Sequence, residues 1–140
     1  MKTTAKRTVF YQYPVELVWR GIGVGNNGTT VDPLNEEEYM NQEPDRGTVF
    51  TRALEVKQNE VFEFQMKTWL FYSTWRIELT AVGPCETKVK FTNTVEYRSM
   101  QGFIYSGFGN LARSEVKQFS RQLGQKIEAD FQKNRPSSEN

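Results

Sequence analysis

WRIELTAVGPCETKVKF, residues 75–91, reads as a strand, a tight turn and a second strand. Trp75, Ile77 and Leu79 alternate with Arg76, Glu78 and Thr80; past the turn, Val89 and Phe91 alternate with Lys88 and Lys90. A period of two sends successive side chains to opposite faces, so each strand carries one apolar and one charged face. Gly83-Pro84-Cys85-Glu86 supplies the turn, because Pro fixes its own φ and cannot continue a ladder.

The pattern extends in both directions. Strands are expected near 47–57, 60–68, 70–82 and 86–98, an antiparallel meander. Lys57-Gln58-Asn59-Glu60 marks one further turn, whereas the turn around Thr68 to Phe71 carries little signal. Phe62, Phe64, Met66, Val95 and Tyr97 join the apolar face; Glu63, Gln65, Lys67, Thr92 and Glu96 join the other. Such a sheet has one covered and one wet face. Upstream, residues 4–13 read as a lone strand with Ala5, Val9, Tyr11 and Tyr13 on one side. Pro14 suits the first turn of a helix, and Val15, Val18, Trp19 and Ile22 fall on one helical face. Gly21, Gly23, Gly25 and Gly28 are expected to stop it. A second short helix begins at Asp32-Pro33, with Asn35 as cap, Glu38 reaching back to it, and Tyr39 and Met40 as its apolar side. Downstream, SMQGFIYSGFGN (99–110) reads as a linker and 111–132 as a long helix. Leu111, Ala112, Val116, Phe119, Leu123, Ile127 and Phe131 form its stripe, opposite Arg113, Lys117, Arg121 and Glu128.

The order is therefore strand, two short helices, four long strands and a long helix. The simplest burial scheme is an α+β fold in which the last helix lies along the sheet's dry face. Residues 1–133 are expected to form one domain, with a disordered tail at 134–140.

Composition narrows the function classes. In 140 residues, 18 Lys+Arg stand against 17 Asp+Glu, a balance that argues against nucleic-acid binding on a basic surface and against a polybasic membrane contact. Aromatics at 14% argue against disorder. The chain has no histidine, which removes the commonest general base and zinc ligand and every Ser–His or Cys–His pair. Cys85 is the one cysteine, so no internal disulfide and no cysteine metal cluster can form, and without a histidine to activate it the thiol reads as an incidental surface group. The first twenty residues hold no signal-peptide core, and no run approaches the roughly 18 apolar residues of a membrane helix. These features lead to the expectation of a cytoplasmic protein, monomeric or homodimeric, with no cofactor, and Asn27-Gly28-Thr29 reads as an idle glycosylation pattern.

YPVELVW (13–19) after a lone strand, WRIEL (75–79), GPCETKVKF (83–91) and the amphipathic C-terminal helix together resemble the birch-allergen/START-like superfamily, also called SRPBCC or polyketide cyclase-like domains. The resemblance spans about residues 4–132, boundaries that pattern reading sets only coarsely. It implies a helix-grip fold: a curved antiparallel sheet with two short helices and one long C-terminal helix on its concave face. It also implies an apolar or amphipathic small-molecule ligand, and it carries over no catalytic set. The chain departs from the pattern before Gly47, where the superfamily usually adds one or two strands and this sequence has only NQEPDR (41–46). Either the sheet is smaller or the missing strand lies within Gly25 to Val31.

Candidate chemistry is sparse. Gly23-Val24-Gly25-Asn26-Asn27-Gly28 spells G-x-G-x-x-G, but a helix precedes it and Asp32-Pro33 follows, so it reads as a loop and not a phosphate cradle. Glu36-Glu37-Glu38 point in different directions on a helix and serve its dipole better than a metal. The inward sheet face is more informative. Strict alternation puts Arg52 between Phe50 and Leu54, Ser73 between Phe71 and Trp75, and Asn93 between Phe91 and Val95. A buried polar group costs about 1–3 kcal/mol unless paired, so these mark a hydrogen-bonded network or a wet pocket. Arg52 would suit a carboxylate or enolate; a one-residue slip would turn it to solvent instead. Phe103, Ile104, Tyr105 and Phe108, set among glycines, either gate a pocket mouth or plug the end of the core.

The leading expectation is a binding module for a hydrophobic small molecule, lined by Tyr11, Arg52, Phe64, Trp75, Phe91, Asn93, Tyr97, Phe108, Val116 and Phe119, with no metal. The alternatives are a cyclase- or aldol-type enzyme using Arg52 as oxyanion stabiliser, and a protein-interaction module like the chaperone-ATPase-activator relatives.

Overall fold

The computed structural model describes residues 2–23, 36–105 and 110–133. Strands β1 (Lys2–Tyr11), β2 (Phe50–Lys57), β3 (Val61–Lys67), β4 (Phe71–Gly83) and β5 (Glu86–Tyr97) form one antiparallel sheet in the order β1-β5-β4-β3-β2. The expected meander is present, and β1 closes one edge by pairing with β5 from Lys2↔Glu96 to Tyr11↔Thr87. That pairing starts β1 two residues earlier than its alternation suggests and releases Gln12 and Tyr13 from the sheet. The weakly marked turn is built by Thr68. Its Oγ1 accepts from the N–H groups of Leu70 and Phe71, at 3.3 and 3.1 Å, a local side-chain turn that replaces glycine or proline.

Helices are α1 (Val15–Ile22), α2 (Glu36–Asn41), α3 (Met100–Tyr105) and α4 (Leu111–Lys133). Buried positions of α4 are Ala112, Val116, Ser120, Leu123 and Ile127, steps of three and four that keep one stripe on the sheet. This stripe lies over β1 and β5 and against α1, on the concave face. Phe131, at the end of the stripe, is 44% exposed, with its ring 5.5 Å from that of Tyr13.

Several expectations are corrected. Gly21 does not end α1 but sits inside it, where a Cβ would lie 2.7 Å from Ile127 Cγ1; its missing side chain lets α1 approach α4. Gly23 is the stop: at φ 91° it takes the left-handed conformation, and its N–H bonds to Arg20 O. Residues 100–105 of the expected linker are helical, and Phe103 packs edge-on to Tyr97 at 5.4 Å. In α2, Tyr39 is 1% exposed but Met40 is exposed, because adjacent helical residues cannot share one narrow contact. The start of α2 at Asp32-Pro33, its Asn35 cap, most of the glycine loop and the 134–140 tail lie outside the described residues. Among the described residues the sheet has five strands, and 41–46 add none.

Candidate functional site

The concave face is built by alternation along each strand. β3 contributes Phe62 and Phe64, β4 Trp75, Ile77 and Leu79, and β5 Val89 and Phe91; all are buried in one cluster with Val116, Leu123 and Ile127 of α4. Phe119 reaches from the helix into this wall, 4.8 Å from the Trp75 ring and 5.7 Å from Phe91. Phe64 in turn stacks on Trp75 at 6.5 Å. Offset and tilted rings of this kind add to the burial itself.

Polar groups interrupt the wall at two places. At one end, Tyr11 donates its hydroxyl to Ser120 O of α4 at 2.7 Å, and burial pushes its pKa well above the ordinary phenol value. Toward the other end, Asn93 is fully buried, and its Nδ2 donates to Ser73 Oγ at 2.9 Å and to Thr74 O at 3.2 Å. Asn93 Oδ1, Tyr97 OH and Thr3 Oγ1 are buried with no protein partner among the described residues. The register gathers them: Thr3 lies opposite Val95, and Val95 stands between Asn93 and Tyr97 on the same face of β5. Thr3 also lines a cleft of about 300 Å³ between β1 and the start of α4, with Ala5, Lys6, Asn110, Ala112 and Arg113. Phe119 lines a smaller cleft of about 160 Å³ beside Gly21, Leu123 and Lys126.

Eight of the ten expected lining residues therefore share the concave side: Tyr11, Phe64, Trp75, Phe91, Asn93, Tyr97, Val116 and Phe119. Arg52 does not, and its inward placement is corrected. It pairs opposite Gln65, on the convex face, and its guanidinium lies 5.6 Å over the Tyr39 ring. Thr51 and Ala53 take the concave side instead, and the register shifts between Ala53 and Glu55. Phe108 lies outside the described residues. Thr3 lies outside the strand expected at 4–13, and β1, which begins at Lys2, carries it on the same face as Ala5.

The convex face holds a second polar cluster. Lys67, 2% exposed, donates to Tyr39 O at 3.3 Å and sits near the rings of Tyr39 and Tyr72. Arg98 pairs with Glu43 at 2.6 Å and donates to Thr68 O. Burial pushes the Tyr39 phenol up to about 12, while its hydroxyl donates to Gln65 Oε1. Among the described residues, the carboxylates with displaced pKa values lie away from the concave wall. Arg98 holds Glu43 below the usual range, Arg76 does the same for Glu55, and the Tyr13 hydroxyl for Glu128. Cys85 is exposed in the β4–β5 turn. Among the described residues no three His, Cys, Asp or Glu side chains are arranged to hold a metal, and no helix is long and apolar enough to cross a membrane.

No family model matches the sequence, and no curated protein matches it. Solved structures do match in shape. A START superfamily protein from Mycobacterium smegmatis superposes with a TM-score of 0.62 at 14% identity, over 90% of this chain and 97% of the other. Ara h 8.0201 gives 0.61 at 13% identity, over 96% and 100%. The Zhui aromatase/cyclase from Streptomyces sp. R1128 gives 0.58 at 10% identity, over 99% and 98%. The chain shares with these structures a helix-grip-like α+β fold.

Proposed function

We propose that the chain binds an apolar or amphipathic small molecule in the cup between the concave sheet face and α4. The observation that carries this reading is the polar patch on an otherwise apolar face, where Asn93 Oδ1, Tyr97 OH and Thr3 Oγ1 are buried without protein partners among the described residues. Each such group costs about 1–3 kcal/mol if it stays unpaired. Three on one face are accounted for by polar atoms of a guest, and an apolar pocket with a few convergent polar groups is the usual form of a ligand site. Phe64, Trp75, Phe91, Val116 and Phe119 would wall the guest, and Asn93 and Tyr97 would orient it. Tyr11, whose hydroxyl is engaged by Ser120, would contribute its ring. Arg52, the oxyanion stabiliser of the cyclase-type alternative, lies on the convex face over Tyr39, which favours binding over that reaction.

Isothermal titration with 2-methylnaphthalene tests the reading. Saturable one-to-one binding is expected for the native chain, and loss of it in Val116→Trp, which fills the cup while circular dichroism stays unchanged. No binding by the native chain, or equal binding by a folded Val116→Trp, would contradict it.

A further inference from the structure

We infer that the cup selects an apolar molecule bearing a neutral hydrogen-bond donor, such as a phenol or alcohol hydroxyl, and rejects the corresponding carboxylate. This rests on the binding reading above and specifies its ligand class.

Asn93 decides the polarity. Its amide lies close to Thr74 O, and a backbone carbonyl can only accept, so the nitrogen must be the atom facing it. The two amide hydrogens then serve Ser73 Oγ and Thr74 O. What remains is Oδ1, an obligate acceptor, buried and with no protein donor among the described residues. Its natural complement is an O–H or N–H. A carboxylate in the same place would set anionic oxygen against amide oxygen in a medium that screens little. Tyr97 OH and Thr3 Oγ1 do not alter this, since a hydroxyl can donate or accept and adapts to either guest.

The charge pattern around Asn93 points the same way. On the concave side of the strands the register places a single charged residue, Arg7, opposite Phe91. It is exposed on the edge strand, and its charge acts on Tyr11, at the end of the sheet away from Tyr97. The buried stripe of α4 is uncharged. Arg52, Lys67 and Arg98 lie on the convex side, where their contacts are with Tyr39, Tyr72 and Glu43. Lys6 and Arg113 line the cleft at Thr3 and Lys126 the cleft at Phe119, but β4 and β5 place no cation on the concave face around Asn93, so a carboxylate seated against Oδ1 would lose its water without a cation from those two strands.

The test is a titration of the full chain with three probes on one skeleton: 2-naphthol, 2-methylnaphthalene and 2-naphthoate. 2-Naphthol is expected to bind about tenfold more tightly than 2-methylnaphthalene, one buried hydrogen bond's worth, with 2-naphthoate weakest. In Asn93→Leu the ratio of 2-naphthol to 2-methylnaphthalene affinity should fall from about ten to about one, whatever the change in their absolute affinities. The inference is overturned if 2-naphthoate binds as well as 2-naphthol. It is equally overturned if the hydroxyl brings no advantage, or if that advantage survives in Asn93→Leu. Should Asn93→Leu fail to fold, the native ranking decides alone. Binding of 2-methylnaphthalene without a hydroxyl preference removes this inference and leaves the binding reading standing; no binding by any probe removes both.

Discussion

Tyr11 and Gly21 fix how the long helix sits, one through a hydroxyl and the other through a missing side chain. Removing the Tyr11 hydroxyl leaves Ser120 O without that donor. Tyr11→Phe is therefore expected to lower unfolding stability by about 1–2 kcal/mol, measured by urea denaturation. At Gly21 two effects oppose. Alanine favours a helix by about 1 kcal/mol over glycine. Its Cβ, however, would press on Ile127 Cγ1 at 2.7 Å and Leu123 Cδ1 at 3.2 Å, and Ile127 is fully buried close to its own backbone. Overpacking of this kind costs about 1–3 kcal/mol, so Gly21→Ala should be net destabilising, by the same denaturation assay. The sequence made Asn93 legible, because Phe91 and Val95 flank it in an unbroken alternation. Arg52 was not legible. The alternation of Phe50, Arg52 and Leu54 points inward, but the facing is set by pairing with β3 and by the shift after Ala53, both non-local.

Among the elements, α2 depends most on charge. Its Tyr39 is buried on the convex face, and the segment that follows is tied down where Glu43 meets Arg98 and Lys67. The folded pKa of Glu43 lies below its ordinary 4.5, chiefly through the Arg98 hydrogen bond. The ion pair therefore stabilises the fold above that value, and its contribution disappears as pH falls through the folded pKa. The Tm should fall as pH is lowered from about 6 to about 3, and Glu43→Gln should flatten part of that slope; Glu55 and Glu128, also shifted down, account for the rest. An equal acid slope in Glu43→Gln would detach α2 from this pair. The long helix and the meander were readable because their periods are local and long. The docking of α2 was not, since it depends on one tyrosine and on cations contributed by β3 and the end of β5. The Thr68 turn is an intermediate case: a threonine side chain does what Gly or Pro does elsewhere, and only the threonine itself signals it.

At the scale of the molecule, the sheet carries two opposed chemistries. Cations and carboxylates gather on its convex side, while aromatic rings and a small uncharged polar patch face α4. That division leaves the convex side to hold α2 and the concave side to hold the guest we propose. The most direct test is a ¹H–¹⁵N correlation spectrum of the labelled chain titrated with 2-naphthol. The expected result is a set of saturating shifts at Asn93, Tyr97, Val116 and Phe119, with Tyr39, Arg52 and Lys67 unmoved. Shifts centred on the convex residues, or no saturating shifts anywhere, would contradict a ligand cup on the concave face.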